Sequence, residues 1–192
     1  MASGGLFSRM WRAALLQSSL FEEVEADTKA NNQAIIVVAL VSLAAGIGRG
    51  IGAVVGGNAS VTGFIWGLVG GIVSSLLVWF IFSLLCFWLG TSLFKGPNTK
   101  ATLGELLRTL GFAYSPGVLN ILALIPVVGG IIPFATLVWT AIAAVIAVRQ
   151  ACDFTTGKAV GTVIVALIIP VVLLILLGVL IGGSCAALMS QA

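Results

Sequence analysis

Five stretches of about twenty mostly apolar residues, joined by short loops, leave this chain one solvent in which to fold, the lipid bilayer. A helix rises about 1.5 Å per residue and the hydrocarbon layer is about 30 Å thick, so each stretch suffices for one crossing. The spans are read at about 34–55, 64–89, 110–128, 131–151 and 159–181. The second lies within Val61 to Leu89, longer than the bilayer requires, and is expected to tilt or project. With 60% hydrophobic and 8% charged residues in 192, and a mean hydropathy of +1.22, no soluble core of this size could hide the apolar surface. The expected fold class is all-α: a polytopic transmembrane bundle of five spans over residues 32–192, preceded by a short amphipathic arm over residues 1–31.

In the arm, Leu6, Phe7, Met10, Trp11, Ala14 and Leu15 fall on one side of a helix, opposite Arg9 and Arg12. Such a helix suits either the headgroup plane or the protein's own surface. Its acidic continuation, Glu22, Glu23, Glu25 and Asp27, reads as a solvated patch. The segment lacks the short apolar core and small-residue cleavage site of a secretory leader, so the first span is expected to act as its own insertion signal.

Charge sets the expected orientation. Short cytoplasmic loops retain Lys and Arg, and eight of the nine basic residues sit in the arm, after span two or after span four. Five crossings therefore put the N-terminus in the cytoplasm and the uncharged tail after Ile181 outside. Dispersed in this way, the net charge of +3 does not form a phosphate-binding face, and no nucleic-acid partner is expected.

The third span is the least regular, with Tyr114, Ser115, Asn120, Pro116 and Pro126. Proline removes a backbone donor and crowds the preceding turn, which predicts a break near Ser115. A break in lipid must be covered by neighbouring helices, so this span is expected to be interior. Before it, Thr102 and Glu105 have capping-box spacing and predict a helix start at Leu103 after the loop containing Pro97.

Candidate interaction residues follow from the same reasoning. Arg49 is ionisable within an apolar stretch and is flanked by Gly46, Gly48, Gly50 and Gly52. Its cost at the centre of a span is about 3 kcal/mol, so it reads as an anion or headgroup site or, more simply, as a side chain snorkelling to the outer interface. Gly63, Gly67 and Gly71 recur every fourth residue and predict close helix packing, within the chain or between chains. Arg149 and Asp153 are spaced to pair across one helical turn. Trp66, Trp79, Trp88 and Trp139, with Tyr114, suit interfacial anchors, and the Asn58–Ser60 glycosylation triplet lies too close to two spans to be reached.

No catalytic constellation is present. The chain has no histidine, no acidic residue within a span, no phosphate loop and no nucleophile elbow. Cys86, Cys152 and Cys185 have neither disulfide-framework nor metal-site spacing. No enzyme activity, cofactor or metal is expected; the expected partners are membrane lipids, other integral membrane proteins and a peripheral protein at the arm.

The run from Gly111 to Val160, with its Gly-Phe-Ala-Tyr-Ser-Pro element, Ile-Pro-Val-Val-Gly turn and Ala-Val-Arg-Gln segment, resembles the core of the Yip domain family of Ypt/Rab-interacting membrane proteins. The segment from Ser19 to Ala34 resembles the arm of prokaryotic-type members. The resemblance implies five spans, a cytoplasmic N-terminus and residence in a prokaryotic cytoplasmic membrane; for a eukaryotic chain it would imply Rab-linked traffic between endoplasmic reticulum and Golgi. The functional expectation is a membrane scaffold or accessory subunit. A small-solute or ion transporter, built on the kinked third span, Asn120 and Arg49, is the alternative.

Overall fold

A computed structural model describes residues 5–55, 60–96, 99–125 and 128–189, with side chains omitted at 52, 53, 55 and 174–189. Asn58, Pro97, Pro126 and the Cys185 side chain lie outside the described residues. The described chain comprises α1 (Leu6–Ala14), α2 (Ser18–Ala26), α3 (Ala30–Val55), α4 (Val61–Thr91), α5 (Leu103–Ala113), a 3-10 helix (Ser115–Leu124), α6 (Ile131–Ala151) and α7 (Thr156–Met189). Among the described residues, four segments are long and apolar enough to cross a membrane: Ala30–Ile51, Val61–Thr91, Ile131–Ala151 and Thr156–Leu173. Pro170 stands inside α7.

The stretch 110–128, expected as the third of five spans, is not one α-helix. The helix that starts at Leu103, as its capping box predicts, carries both reciprocal bonds: Thr102 N–H donates to Glu105 Oε2 at 2.7 Å and Glu105 N–H to Thr102 Oγ1 at 3.3 Å. It ends at Ala113, and the tighter 3-10 helix begins at Ser115 with Pro116 in its first turn. The break falls where the proline predicts it, and local groups satisfy it. Ser115 Oγ donates to Phe112 O at 2.7 Å, and Gly117 N–H to Tyr114 O at 2.8 Å. Only the first part is interior: Ser115, Pro116 and Gly117 are buried, whereas Leu119, Ile121, Leu122, Leu124 and Ile125 are exposed.

One core holds the helices together, and it lies at the arm-bearing end. It takes Leu20, Phe21 and Val24 from α2, and Ala34, Val37 and Val38 from the first half of α3. Cys86 and Leu89 come from the last turns of α4, Leu110 and Phe112 from α5, Ala147 and Val148 from the last turns of α6, and Ala159 and Val163 from the start of α7. The far halves of the long helices present apolar side chains outward, among them Val61, Ile65, Trp66, Val69, Ile131 and Phe134. Lipid tails are as apolar as leucine, so these surfaces need no protein cover in a bilayer.

Close backbone approach binds α3 to the broken third element. A Cβ at Gly111 would lie 2.5 Å from Ala34 Cβ, and one at Gly48 would fall on the carbonyl oxygen of Asn120. No side chain fits at either contact, so the glycines set the distance between the two elements.

Candidate functional site

Along α4, Phe64, Leu68, Gly71 and Ser75 share one side of the helix and face α3. Gly46 receives the Leu68 side chain and Gly50 the Phe64 ring; Ser75 Oγ donates to Ser42 Oγ at 3.1 Å, with Gly71 beside it. On the adjoining side stand Gly63, Gly67, Gly70 and Ser74, all exposed. A Cβ at Gly67 or Gly70 would meet no atom within 4 Å. The single seam expected from Gly63, Gly67 and Gly71 is therefore divided: Gly71 packs inward, and Gly67 opens outward with Gly70, which the every-fourth-residue pattern passes over.

Arg49 is exposed near the far end of α3. It borders a depression of about 360 Å³ with Gly46, Gly50, Gly63, Phe64, Gly67 and Leu68. The structure thus brings five of the sequence candidates to one place. Asn120 belongs elsewhere, accepting a 2.9 Å hydrogen bond from Thr136 Oγ1 of α6. Tyr114 and Pro116 lie deeper, with Tyr114 lining an apolar cavity of about 360 Å³ between α4, α6 and α7.

At the other end the arm is clamped by two arginines. Arg9, 3% exposed, donates to Glu23 Oε1 at 3.0 Å, Asp27 Oδ2 at 2.9 Å and Gln33 Oε1 at 2.8 Å. Arg108 of α5 donates to the Val24 and Glu25 carbonyls that close α2, and to Asn31 Oδ1. Part of the acidic stretch read as a solvated patch is thus a receptor for Arg9 and Arg12. Hydrogen bonding from Arg12 leads in holding Glu23 below the usual carboxylate range, and bonding from Arg9 does the same for Asp27. Burial pushes Glu25 up to about 7, helped by the nearby charges of Glu105 and Asp153.

The polar side of α1 therefore packs on the protein, while Phe7 (78% exposed) and Trp11 (67%) point away from its core. They border an apolar groove of about 560 Å³ whose other walls include Leu40, Ala44, Leu119 and Trp139. Trp139 is not only an interfacial anchor, because its Nε1–H donates to Ala14 O at 2.8 Å. Trp79 departs from that expectation too, being buried in the core. Sequence periodicity could not find these contacts, which join residues up to 125 positions apart.

The expected Arg149–Asp153 pair does not form. The helix ends at Ala151, and Asp153 lies beyond it with φ 51°, outside the helical register that would align the two. Arg149 Nε donates to Gln150 Oε1 at 3.1 Å, and Gln150 Nε2 to Glu22 Oε1 at 2.6 Å. Among the described residues, no group of three or more His, Cys, Asp or Glu side chains could hold a metal ion.

Residues 14–183 match the family model of the Yip1 domain, taking in α2 to α6 and most of α7. The chain belongs to the Yip1 domain family. Comparison with curated proteins and with solved structures gives no match. This Yip1-domain protein is a multi-pass membrane protein, and the match takes in the glycine-lined depression, the outward face of α4 and the Arg108 clamp.

Proposed function

We propose that this Yip1-domain protein is a non-catalytic membrane scaffold or accessory subunit that holds other integral membrane proteins on the outward face of α4. One observation carries the reading: among the described residues Gly67 and Gly70 meet nothing, although the same helix packs against α3 by its neighbouring face. Glycine in the middle of a helix costs about 1 kcal/mol relative to alanine. Close approach by a second helix offsets that cost. The absence of histidine, and of acidic residues from the apolar stretches, supports a non-catalytic role.

In mild detergent the protein is expected to keep a stoichiometric membrane-protein partner. Gly70→Leu is expected to weaken that association on the order of tenfold while leaving thermal unfolding of the chain unchanged. A Gly70→Leu protein that retains its partner, or solute flux from the wild-type chain alone in liposomes, overturns the reading.

The chain crosses the membrane five times in this proposal, in a prokaryotic cytoplasmic membrane, with its N-terminus inside. Support comes from placement: α5 starts against the arm, and α6 returns to it at its C-terminal end. The 3-10 helix and the turn after it thus carry the chain to the far side. In the bilayer, Phe7 and Trp11 of the arm dip into the headgroup plane, and its polar surface is open to a peripheral protein. Protease added to sealed, right-side-out cells is expected to remove a C-terminal tag and spare an N-terminal one; equal fates for the two tags contradict an odd number of crossings.

A further inference from the structure

Among the described residues, Arg49 has no anion of its own chain within reach. All six acidic side chains, Glu22, Glu23, Glu25, Asp27, Glu105 and Asp153, belong to the arm-bearing end or the segments packed there. Asp27, the nearest of them along the chain, precedes α3, and Arg49 stands nineteen residues into that helix, about 28 Å away along its axis. An arginine side chain covers only a fraction of that distance.

Depth narrows the choice of anion. Arg49 stands six residues before the last residue of α3, about 9 Å from its end. Across the depression, Gly63, Phe64 and Gly67 belong to the first two turns of α4. The depression therefore lies where both helices reach the far face of the bilayer. The N-terminus of α4 adds the positive end of a helix dipole, and Ser60 caps it by accepting from Gly63 N–H at 3.1 Å. Two sources of positive potential converge on a concave surface lined largely by glycine.

We propose that this depression binds the phosphate of an anionic glycerophospholipid in the far leaflet, with Arg49 as its ligand and the glycerol and upper acyl carbons over Gly46, Gly50, Gly63 and Gly67. A planar guanidinium meets two phosphate oxygens at once. Leu68 and Phe64 fill the places left by Gly46 and Gly50 and form an apolar floor, and Gly67, beside which no described atom stands, leaves room for a headgroup above it. The bilayer supplies phosphate at this depth wherever the protein resides, whereas a carboxylate would require a dedicated partner chain. The site adjoins the surface of the helix-docking reading and shares Gly67 with it, whereas Gly70, further along α4, lines only the docking surface.

The full-length protein in nanodiscs of mixed phosphatidylglycerol and phosphatidylcholine, released and weighed by native mass spectrometry, tests this. Wild type is expected to retain one phosphatidylglycerol in preference to phosphatidylcholine. Arg49→Gln is expected to lower that retention about tenfold, and Arg49→Lys to do so less, since an ammonium lacks the paired donors. Gly70→Leu is expected to keep the lipid even where it loses a protein partner. Arg49 is exposed, so both substitutions leave the core intact, which unfolding temperature checks. Equal phosphatidylglycerol retention by wild type and Arg49→Gln overturns the proposal. So does an Arg49→Gln protein whose lipid count is unchanged while a protein partner is lost, which would mark the anion as a carboxylate of that partner.

Discussion

Arg9→Ala is expected to release α1 from the bundle while the helices beyond it stay folded. The substitution removes donors to Glu23, Asp27 and Gln33 together; Glu23 keeps its pairing with Arg12, while Asp27 loses its arginine. Breaking a buried pair from one side costs about 3–5 kcal/mol. Here the carboxylates are 33% and 30% exposed, so water recovers part of the loss and about 2–4 kcal/mol is the appropriate range. That corresponds to a roughly 30- to 700-fold rise in the population of the open arm. Hydrogen exchange over residues 6–14 is the measurement, with protection falling there and holding in α2 to α6. Arg9→Lys should recover only part of the protection, because one ammonium cannot span three acceptors set for a guanidinium fork. Unchanged exchange in Arg9→Ala would show that the apolar contacts of Met10 and Ala13 hold the arm unaided.

Gly48→Ala is expected to destabilise the whole membrane domain. Its Cβ would occupy the position of the Asn120 carbonyl oxygen, which is backbone and cannot rotate away as a side-chain tip can. Either α3 or the 3-10 helix must withdraw, and that separates surfaces on both sides of the contact. Overpacking of this kind costs about 1–3 kcal/mol, and the upper part of that range applies where backbone meets backbone. Gly70→Ala is the matched comparison, since its Cβ enters open space and the change stays within about 0.5 kcal/mol or stabilises the helix. Denaturation in detergent should separate the pair clearly. A Gly48→Ala protein as stable as wild type would mean that α3 and the 3-10 helix shift past each other freely.

The two substitutions act at opposite ends of one design. Near the arm, a hydrophobic core and buried arginines hold seven helical segments in register. Toward the far face, the long helices rely on glycine contacts and leave apolar and small-residue surface outward. In the proposed scaffold role such surface would receive partners, with the anchored end keeping it in place.

Four of the membrane helices were legible in the residues because hydrophobic length is a local property: a bilayer demands about twenty apolar residues in a row, and no distant part of the chain changes that count. The helix start at Leu103 and the break near Ser115 were legible for a similar reason, since a capping box and a proline act on the backbone within one turn. What stayed hidden depended on partners far along the chain. Arg9 reads as the solvated side of an amphipathic helix until α2 and α3 bring Glu23, Asp27 and Gln33 around it. Trp139 reads as an interfacial anchor until Ala14 offers its carbonyl. The glycines of α4 share one pattern, and only the position of α3 decides that Gly71 is inside while Gly67 and Gly70 face out. Local chemistry determined which segments are helical and which enter lipid; tertiary contact decided which face of each helix is spent on the fold and which remains for something else.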